Sequence, residues 1–543
     1  MKLDLVLRKL EPLLPEKVAH WKRVLPLVNE PTRALVEREI ISTSFRLLGD
    51  VGSRLLLPPP PRTRSGGEFN LGTVVYEQDK WPFSLTRGEL LQHVVILGRS
   101  GSGKTNMAFH LLRQLLHQKV PFLFLDWKRT ARHLLPNLPS SGIQIFTPGR
   151  QLLPFPFNPL LPPPGLELRQ HVHHLVDVLA KAFSLGAGAT SILQEVLIDS
   201  FTAGAPSTIS AVLERLKSVP ATGRKLPWKT SALRAIQTLD LAALSSSDAK
   251  TQEELVSLLT RSSSVLELNG LNEATKKFLV HTLLLWIYHH LLATSTHREQ
   301  LHLVVFLEEA HHVLHRAPGR AAPSSAERLL RQCREIGMGI VIIDQHPHLL
   351  SAAALGNSYT TICLNLKDPT DVNKAGHLLL LHDEDKEHLS RLPVGHAIIK
   401  LQDRWHLPFL VRIPPVLVKK GAVTDEVLKQ LSAGSLTLSA LKRRLDAEER
   451  ARAGSRTADL PLHDGAFALL QDIASHGDDG VQERYTRLGW SSDRGTKVKL
   501  QLLQHKLIEE ARIRVGTTTR ALLRITHGGR QMRTSPRASP GLP

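Results

Sequence analysis

Apolar residues follow two textures along this chain. In residues 1–57, Leu3, Val6, Leu7, Leu10, Leu13 and Leu14 recur at helical spacing between charges, which predicts a helical N-terminal region. The run PPPPRTRSGG at 58–67 breaks that pattern, because prolines cannot continue a helix and glycines loosen the chain, so 58–69 reads as a linker. From 70 onward short apolar runs alternate with helical segments. HVVIL (93–97), VPFLFL (120–125) and GIQIF (142–146) read as strands, with a helix over 105–117. Residues 165–260 are helical and more polar, which predicts an insertion. Strands resume at VLEL (265–268), LVVFL (303–307), GIVII (339–343), TICLNL (361–366), HAIIKLQ (396–402) and PFLVRI (408–413). Strand–helix–strand repetition predicts right-handed βαβ units around a parallel sheet with helices on both faces, an α/β core over 70–415. A charged helical connector (416–460), a smaller domain (461–530) and a disordered tail (531–543) complete the expected layout. No fixed-period repeat is present.

Composition narrows the class. The chain has 543 residues, enough for roughly three to four domains. Its 69 basic and 50 acidic residues leave a net charge of +19, a surplus suited to a polyanion such as nucleic acid. Two cysteines, Cys333 and Cys363, exclude a disulfide scaffold and suit a reducing, cytoplasmic setting. The longest apolar stretch, 278–293, is interrupted by His281, His289 and His290, so no membrane span is expected. The first residues, MKLDLVLRKLEPLL, lack the apolar run of a signal peptide.

Gly98-Arg99-Ser100-Gly101-Ser102-Gly103-Lys104-Thr105 satisfies G-x-x-x-x-G-K-[ST], directly after an apolar strand and at the start of a helix. Glycines let backbone N–H groups turn toward phosphates, and the helix N-terminus adds partial positive charge. Gly98 through Thr105, with Asn106, are therefore the expected ATP-binding residues. Lys104 would reach the β- and γ-phosphates, and Thr105 would ligate Mg2+.

The strand LVVFL ends in Glu308-Glu309, a Walker B-like arrangement. The first carboxylate would hold the magnesium shell and the second would activate water, which makes Glu308 a metal residue and Glu309 the general base. Acidic residues opening a following helix are the bland alternative. His311 and His315 have the i, i+4 spacing of a metal pair, but no third ligand accompanies them, so they read as surface and core histidines. In RQCREIGMGIVIIDQHP a basic helix runs into a strand ending at Asp344-Gln345. A polar side chain at that edge faces the nucleotide crevice, so Gln345 would sense phosphate or position water. Arg331 and Arg334 precede the strand and would reach a neighbouring subunit.

In ordered series, LGTVVY (71–76), LTRGELLQHVVILGRSGSGKTN (85–106), FLFLDWKR (122–129), PGRQLLPFPFNPL (148–160), VLELNGLNEATKKFLVHTLLLWI (265–287), LEEAHHVL, RQCREIGMGIVIIDQHP and LPVGHAIIK (392–400) resemble the HerA–FtsK superfamily of P-loop ATPases, in its HerA-like branch with conjugative secretion relatives. The resemblance covers about 70–415. It implies a RecA-like core that assembles as a homo-hexameric ring and drives double-stranded DNA through its pore. It implies that Gln345 is the family's strand-end glutamine, that Arg334 matches the trans-acting arginine with Arg331 as runner-up, and that Asp126 matches an acidic position. Glu308 stands where the family usually has Asp. The helical N-terminus is unlike the small β-barrel of typical HerA proteins, so the usual nuclease partner does not carry over, and any nuclease or other effector is open.

Residues 463–530 read as three helices followed by ARIRV and ALLRIT, an order resembling a winged helix. Arg494, Lys497 and Lys499 fall early in its third helix, the place of major-groove contacts, with Ser491 and Ser492 as caps. Winged helices also dock proteins. The leading expectation is an ATP-driven DNA translocase. The alternatives are a nucleotide-switched DNA-binding regulator with slow hydrolysis, or a secretion-type ATPase without membrane spans of its own.

Overall fold

The computed structural model describes residues 3–432 and 465–526, apart from residues 12, 49–54, 56, 77–78, 138–142, 151, 154, 203–207, 243, 245–248, 296–298, 317–324, 478, 505–506 and 516–517. The basic stretch expected as a connector helix around 442–456 and the 531–543 tail lie outside the described residues. The chain divides into two compact units, Met1–Ser435 and Leu436–Pro543.

Three helices open the first unit: α1 (Leu3–Leu10), α2 (Pro15–Val24) and α3 (Glu30–Leu48). Their spaced apolar residues close a small core of Val6, Leu7, Leu10, Val18, Trp21 and Ile40. Arg8 donates to Glu384 at 2.8 Å, which ties these helices to the larger body. A hairpin follows, β1 (Phe69–Tyr76) and β2 (Asp79–Leu85). Gly72 in β1 has φ +143°, and a Cβ there would stand 2.3 Å from the Arg412 carbonyl oxygen. Helix α4 (Arg87–Leu91) starts at a Thr86–Glu89 capping box.

The core continues with β3 (Val94–Leu97), α5 (Lys104–His117), β4 (Phe122–Asp126) and β5 (Ile143–Phe146). Five helices occupy the polar stretch: α6 (Leu168–Phe183), α7 (Ala187–Thr202), α8 (Ile209–Ser218), α9 (Lys225–Leu241) and α10 (Ala249–Arg261). Then come β6 (Ser263–Glu267), α11 (Glu273–Thr294), β7 (Leu303–Glu308), α12 (Ser325–Gln332), β8 (Met338–Asp344), α13 (Ala352–Gly356) and β9 (Thr360–Cys363). Helices α14 (Pro369–Leu378), α15 (Asp383–Lys386) and α16 (His388–Arg391), strands β10 (His396–Lys400) and β11 (Phe409–Arg412), and α17 (Asp425–Ser432) complete the unit.

Among the described residues one sheet carries eleven strands in the order β2-β1-β11-β10-β9-β3-β8-β7-β4-β6-β5. From β9 to β5 every neighbouring pair is parallel. From β9 to β2 every pair is antiparallel, so the sheet is mixed where the sequence predicted only parallel strands. Continuous apolar runs are what a sheet covered on both faces requires, and Val94 through Leu97 are all fully buried. Val95 and Leu97 pack into the main cluster with Leu123, Leu125, Val305, Leu307 and side chains of α6 to α11. This is a RecA-like P-loop α/β core. Among the described residues no helix is long and apolar enough to cross a membrane.

The second unit holds α18 (Ala466–Ser475), α19 (Val481–Arg487), α20 (Ser492–Gln504) and an antiparallel pair, β12 (Ile508–Val515) and β13 (Thr518–Ile525). Its core is Leu469, Leu470, Ile473, Val498, Leu502, Leu507, Ile508 and Leu523. Arg484 is fully buried and ties α18 to α19, donating to the Asp472 carboxylate at 3.0 Å.

Candidate nucleotide site

Strand β3 delivers the loop 98–103 to the C-terminal edge of the sheet, and α5 begins at Lys104. Gly98, Gly101 and Gly103 have φ of +157°, +77° and +113°, the region in which side chains are disfavoured. A Cβ on Gly98 would stand 2.6 Å from Ser102 Oγ, so this wall of the loop admits only glycine. Lys104 Nζ folds over the loop and donates to the carbonyls of Gly98 at 2.5 Å and Arg99 at 3.0 Å. Burial, then the nearby Lys128 charge, lowers the Lys104 pKa to about 8. Ser102 Oγ is buried without a hydrogen-bond partner. An anion in this cradle would relieve both: it would restore full charge to Lys104 and take up loop donors.

A cavity of about 620 Å³ opens beside the loop, lined by Ser100, Gly101, Gly103, Lys104, Thr105 and Asn106 from the predicted set, and by Glu308 and Glu309. Arg99 contributes its carbonyl to Lys104, while its Nε donates to Asn365 Oδ1 at 2.6 Å. Asn106, expected to bind the nucleotide, spends its amide on the chain after β11. Its Nδ2 donates to the Pro414 carbonyl at 2.9 Å, and its Oδ1 accepts from the Val416 N–H at 2.6 Å.

Glu308 ends β7, is 5 % exposed, and accepts from the Trp127 N–H at 3.1 Å. Burial and the neighbouring Asp126 charge push its carboxyl above the ordinary range. Asp126 is fully buried and accepts N–H bonds from Lys128 and Ala131. A divalent cation suits Glu308 because it offsets two carboxylates held this close in low dielectric. When bound, such a cation supplies positive charge to the phosphates.

Among the described residues no α-helix opens at Glu309. Glu309 itself is left-handed (φ +49°), and Ala310–His312 form one 3-10 turn. The acidic-helix-start explanation therefore has no helix to act on. Glu309 Oε1 pairs with Lys128 Nζ and accepts from Gln345 Nε2 at 2.6 Å. His311 Nδ1 bonds the buried Asp344 carboxylate at 3.0 Å, and the N–H groups of His311, Gln345 and His346 converge on the same carboxylate. Burial opposes charge on His311, but the bond to Asp344 together with the Asp344 and Glu309 charges outweighs it and raises its pKa. His315 instead makes an isolated bridge to Leu350.

Arg334 and Arg331 lie at the other end of β8. They line a separate cavity with Gln92, His93 and Asn357. Strand β8 has seven residues, which at roughly 3.3 Å each puts about 20 Å between its ends. In the second unit, Arg494 is exposed and stacks on Trp490 at 5.3 Å, and Lys497 is exposed. Lys499 is engaged by Glu510 at 3.3 Å. Ser491 Oγ accepts from the Arg494 N–H at 3.3 Å, whereas Ser492 Oγ accepts from Gln482.

Sequence reasoning missed Lys128, Arg129, Val416 and Lys420, which also line the nucleotide cavity. The first two stand in the DWKR segment, which was singled out only for Asp126. Val416 and Lys420 fall beyond residue 415, the expected end of the core. The chain past it continues to α17, where Asp425 meets Arg132 at 2.6 Å. Arg132 is 1 % exposed and forks onto the fully buried Glu267, with Nε to Oε1 at 2.6 Å.

A glycine-lined loop between strand and helix, a lysine folded onto it, and paired carboxylates ending the second strand over define a P-loop ATPase. Residues 69–285 match the family model of the helicase HerA central domain. That match spans less than half of the chain, which is similar to HerA over this region. It is 24 % identical over 371 residues to the DNA double-strand break repair helicase HerA of Sulfolobus acidocaldarius, spanning 64 % of this chain and 70 % of that one. Among solved structures, VirB4 of Thermoanaerobacter pseudethanolicus is similar with a TM-score of 0.47 and 15 % identity, over 65 % of this chain and 97 % of that one. The plasmid coupling protein TrwB in complex with ADP and Mg2+ is similar with a TM-score of 0.46 and 11 % identity, over 62 % and 89 %.

Proposed function

We propose that this ATPase is a motor that moves double-stranded DNA as a homo-hexameric ring. The observation that carries the reading is the separation of Gln345 and Arg334 to opposite ends of β8. Gln345 sits beside Glu309 at the phosphate loop, and Arg334 faces away from it, so a second copy must bring its Arg334 to complete the site. Each ring interface then holds one nucleotide between a loop and a neighbour's arginine. Lys104 binds the phosphates, Thr105 and Glu308 hold Mg2+, Glu309 takes the proton of the attacking water, and Gln345 orients that water. The net charge of +19 and the exposed Arg494 and Lys497 support duplex DNA as the track, with the second unit acting as a winged helix. The HerA relative, a DNA double-strand break repair helicase, supports the same substrate.

ATPase rate with and without long linear duplex DNA tests this, together with mass photometry and displacement of a third strand from a triplex. Six-subunit particles, stimulation that grows with DNA length, and strand displacement that needs ATP are expected. DNA-independent hydrolysis by a monomer would sink the proposal.

A further inference from the structure

Directly after Gln345 the chain turns through His346-Pro347-His348. Both imidazoles close on one carboxylate, Asp371, in the first turn of α14. His346 Nδ1 lies 3.1 Å from Asp371 Oδ2, and His348 Nδ1 lies 2.7 Å from Asp371 Oδ1. The His348 N–H adds a bond to Oδ1 at 3.2 Å. The two rings stand 5.9 Å apart at 74°. One nitrogen from each ring and a carboxylate oxygen lie within 4.8 Å of one another. The Asp371 side chain is 2 % exposed, whereas His346 and His348 are 48 % and 35 % exposed.

We propose that His346, His348 and Asp371 form a binding site for a divalent transition metal of the zinc class, separate from the magnesium of the nucleotide. A tetrahedral ion with ligands at about 2.0–2.1 Å sets its ligand atoms roughly 3.3 Å apart, near the nitrogen–oxygen distances of 3.1 and 2.7 Å already present. Two imidazoles and one carboxylate make a borderline donor set that selects zinc, cobalt or nickel over magnesium. A buried carboxylate facing two imidazoles also gains from positive charge nearby, which a bound ion would supply. The exposed side of the histidines leaves the fourth position to water.

The second His/carboxylate group, Glu309-His311-Asp344, does not share this character. Asp344 is saturated by three backbone N–H groups, and Glu309 belongs to the nucleotide site. Ion binding at His346 and His348 would clamp the segment that follows Gln345 onto α14, and so fix the residue that touches Glu309. The metal is thus a positioning element for the phosphate edge of β8.

Full-length protein, stripped with chelator and free of nucleotide, is titrated with Co2+ while visible absorption and thermal unfolding are followed. One saturating equivalent with intense tetrahedral d–d bands and a rise in Tm is expected. His346→Gln with His348→Gln keeps amide donors for Asp371 and should weaken Co2+ binding about 100-fold or more. His346→Gln alone changes an exposed side chain, so it keeps the test valid if the double variant fails to fold, and it should weaken binding about tenfold. Lys104→Ala should retain both the bands and the Tm shift. The proposal is overturned if Co2+ does not bind saturably, if the histidine variants bind it as tightly as the parent, or if Mg2+ produces the same shift at equal concentration.

Discussion

Gln345 Nε2 donates to Glu309 Oε1 at 2.6 Å, although 36 residues separate them in the chain. The same oxygen pairs with Lys128. Those three residues follow β8, β7 and β4, which are adjacent in the sheet, so neighbouring strand ends hold one carboxylate from both sides.

Glu309→Gln should leave nucleotide binding within about twofold and lower turnover at least about 100-fold, since the carboxylate acts on water alone. Lys104→Ala should lose binding and turnover together, because its ammonium meets the phosphates in ground and transition states. Fluorescent-nucleotide titration beside phosphate release separates the two. Near-normal turnover by Glu309→Gln would shift the base to Glu308.

Arg334→Ala should cut turnover by about 10³–10⁵ while sparing nucleotide binding, the range known for arginines supplied in trans. Mixed with Lys104→Ala protein, it should regain part of the activity. Some interfaces then pair an intact loop with an intact arginine. Co-assembled mixtures that stay inactive refute the trans role.

His93 should make the fold acid-sensitive. Its Nδ1 accepts from the Ile340 N–H at 3.1 Å, so its Nε2 carries the proton and donates to the Leu330 carbonyl at 2.9 Å. Burial, against the Leu330 bond and with help from the Arg334 charge, lowers its pKa to about 4 from 6.5. The unfolded chain therefore binds a proton before the folded one does. Stability is full above pH about 6.5 and falls as pH drops toward 4, by about 3 kcal/mol in all. Denaturant unfolding at several pH values should show this slope, and His93→Gln should flatten it by one proton. An unchanged slope excludes the assignment.

Arg494→Ala and Lys497→Ala should each reduce the salt slope of duplex binding by roughly one, while Lys499→Ala should change it little because Glu510 already engages that ammonium. Deleting residues 461–543 should flatten the slope further and leave basal ATPase unchanged. An unaltered slope assigns this unit to protein docking.

Arg132→Met should destabilise the first unit by about 3–5 kcal/mol, since it strands the fully buried Glu267 carboxylate. Thermal unfolding reads this directly. The double change Arg132→Met with Glu267→Leu should recover most of the loss, because no uncompensated charge remains.

The phosphate loop was legible because its chemistry is local. Glycines at 98, 101 and 103, a lysine and a threonine act within eight consecutive residues, and a strand and a helix flank them. The central strands were legible because burial on both faces demands unbroken apolar runs, as in Val94–Leu97 and Phe122–Leu125. What depended on neighbours across the sheet was not. The antiparallel half of the sheet is set by successive pairings, β10 on β9, β11 on β10 and β1 of the β1–β2 hairpin on β11, which no local pattern reports. Lys128 gained meaning only when β4 came to lie beside β7, and the Asn106 amide bonds Pro414 and Val416, some 300 residues away in the chain. Likewise, sequence spacing offered His311 and His315 as a pair, while folding joined His346 and His348 to Asp371. Side chains acting through their own turn are written in sequence order; those acting across strands take their partners from the order of the sheet, which tertiary packing alone decides.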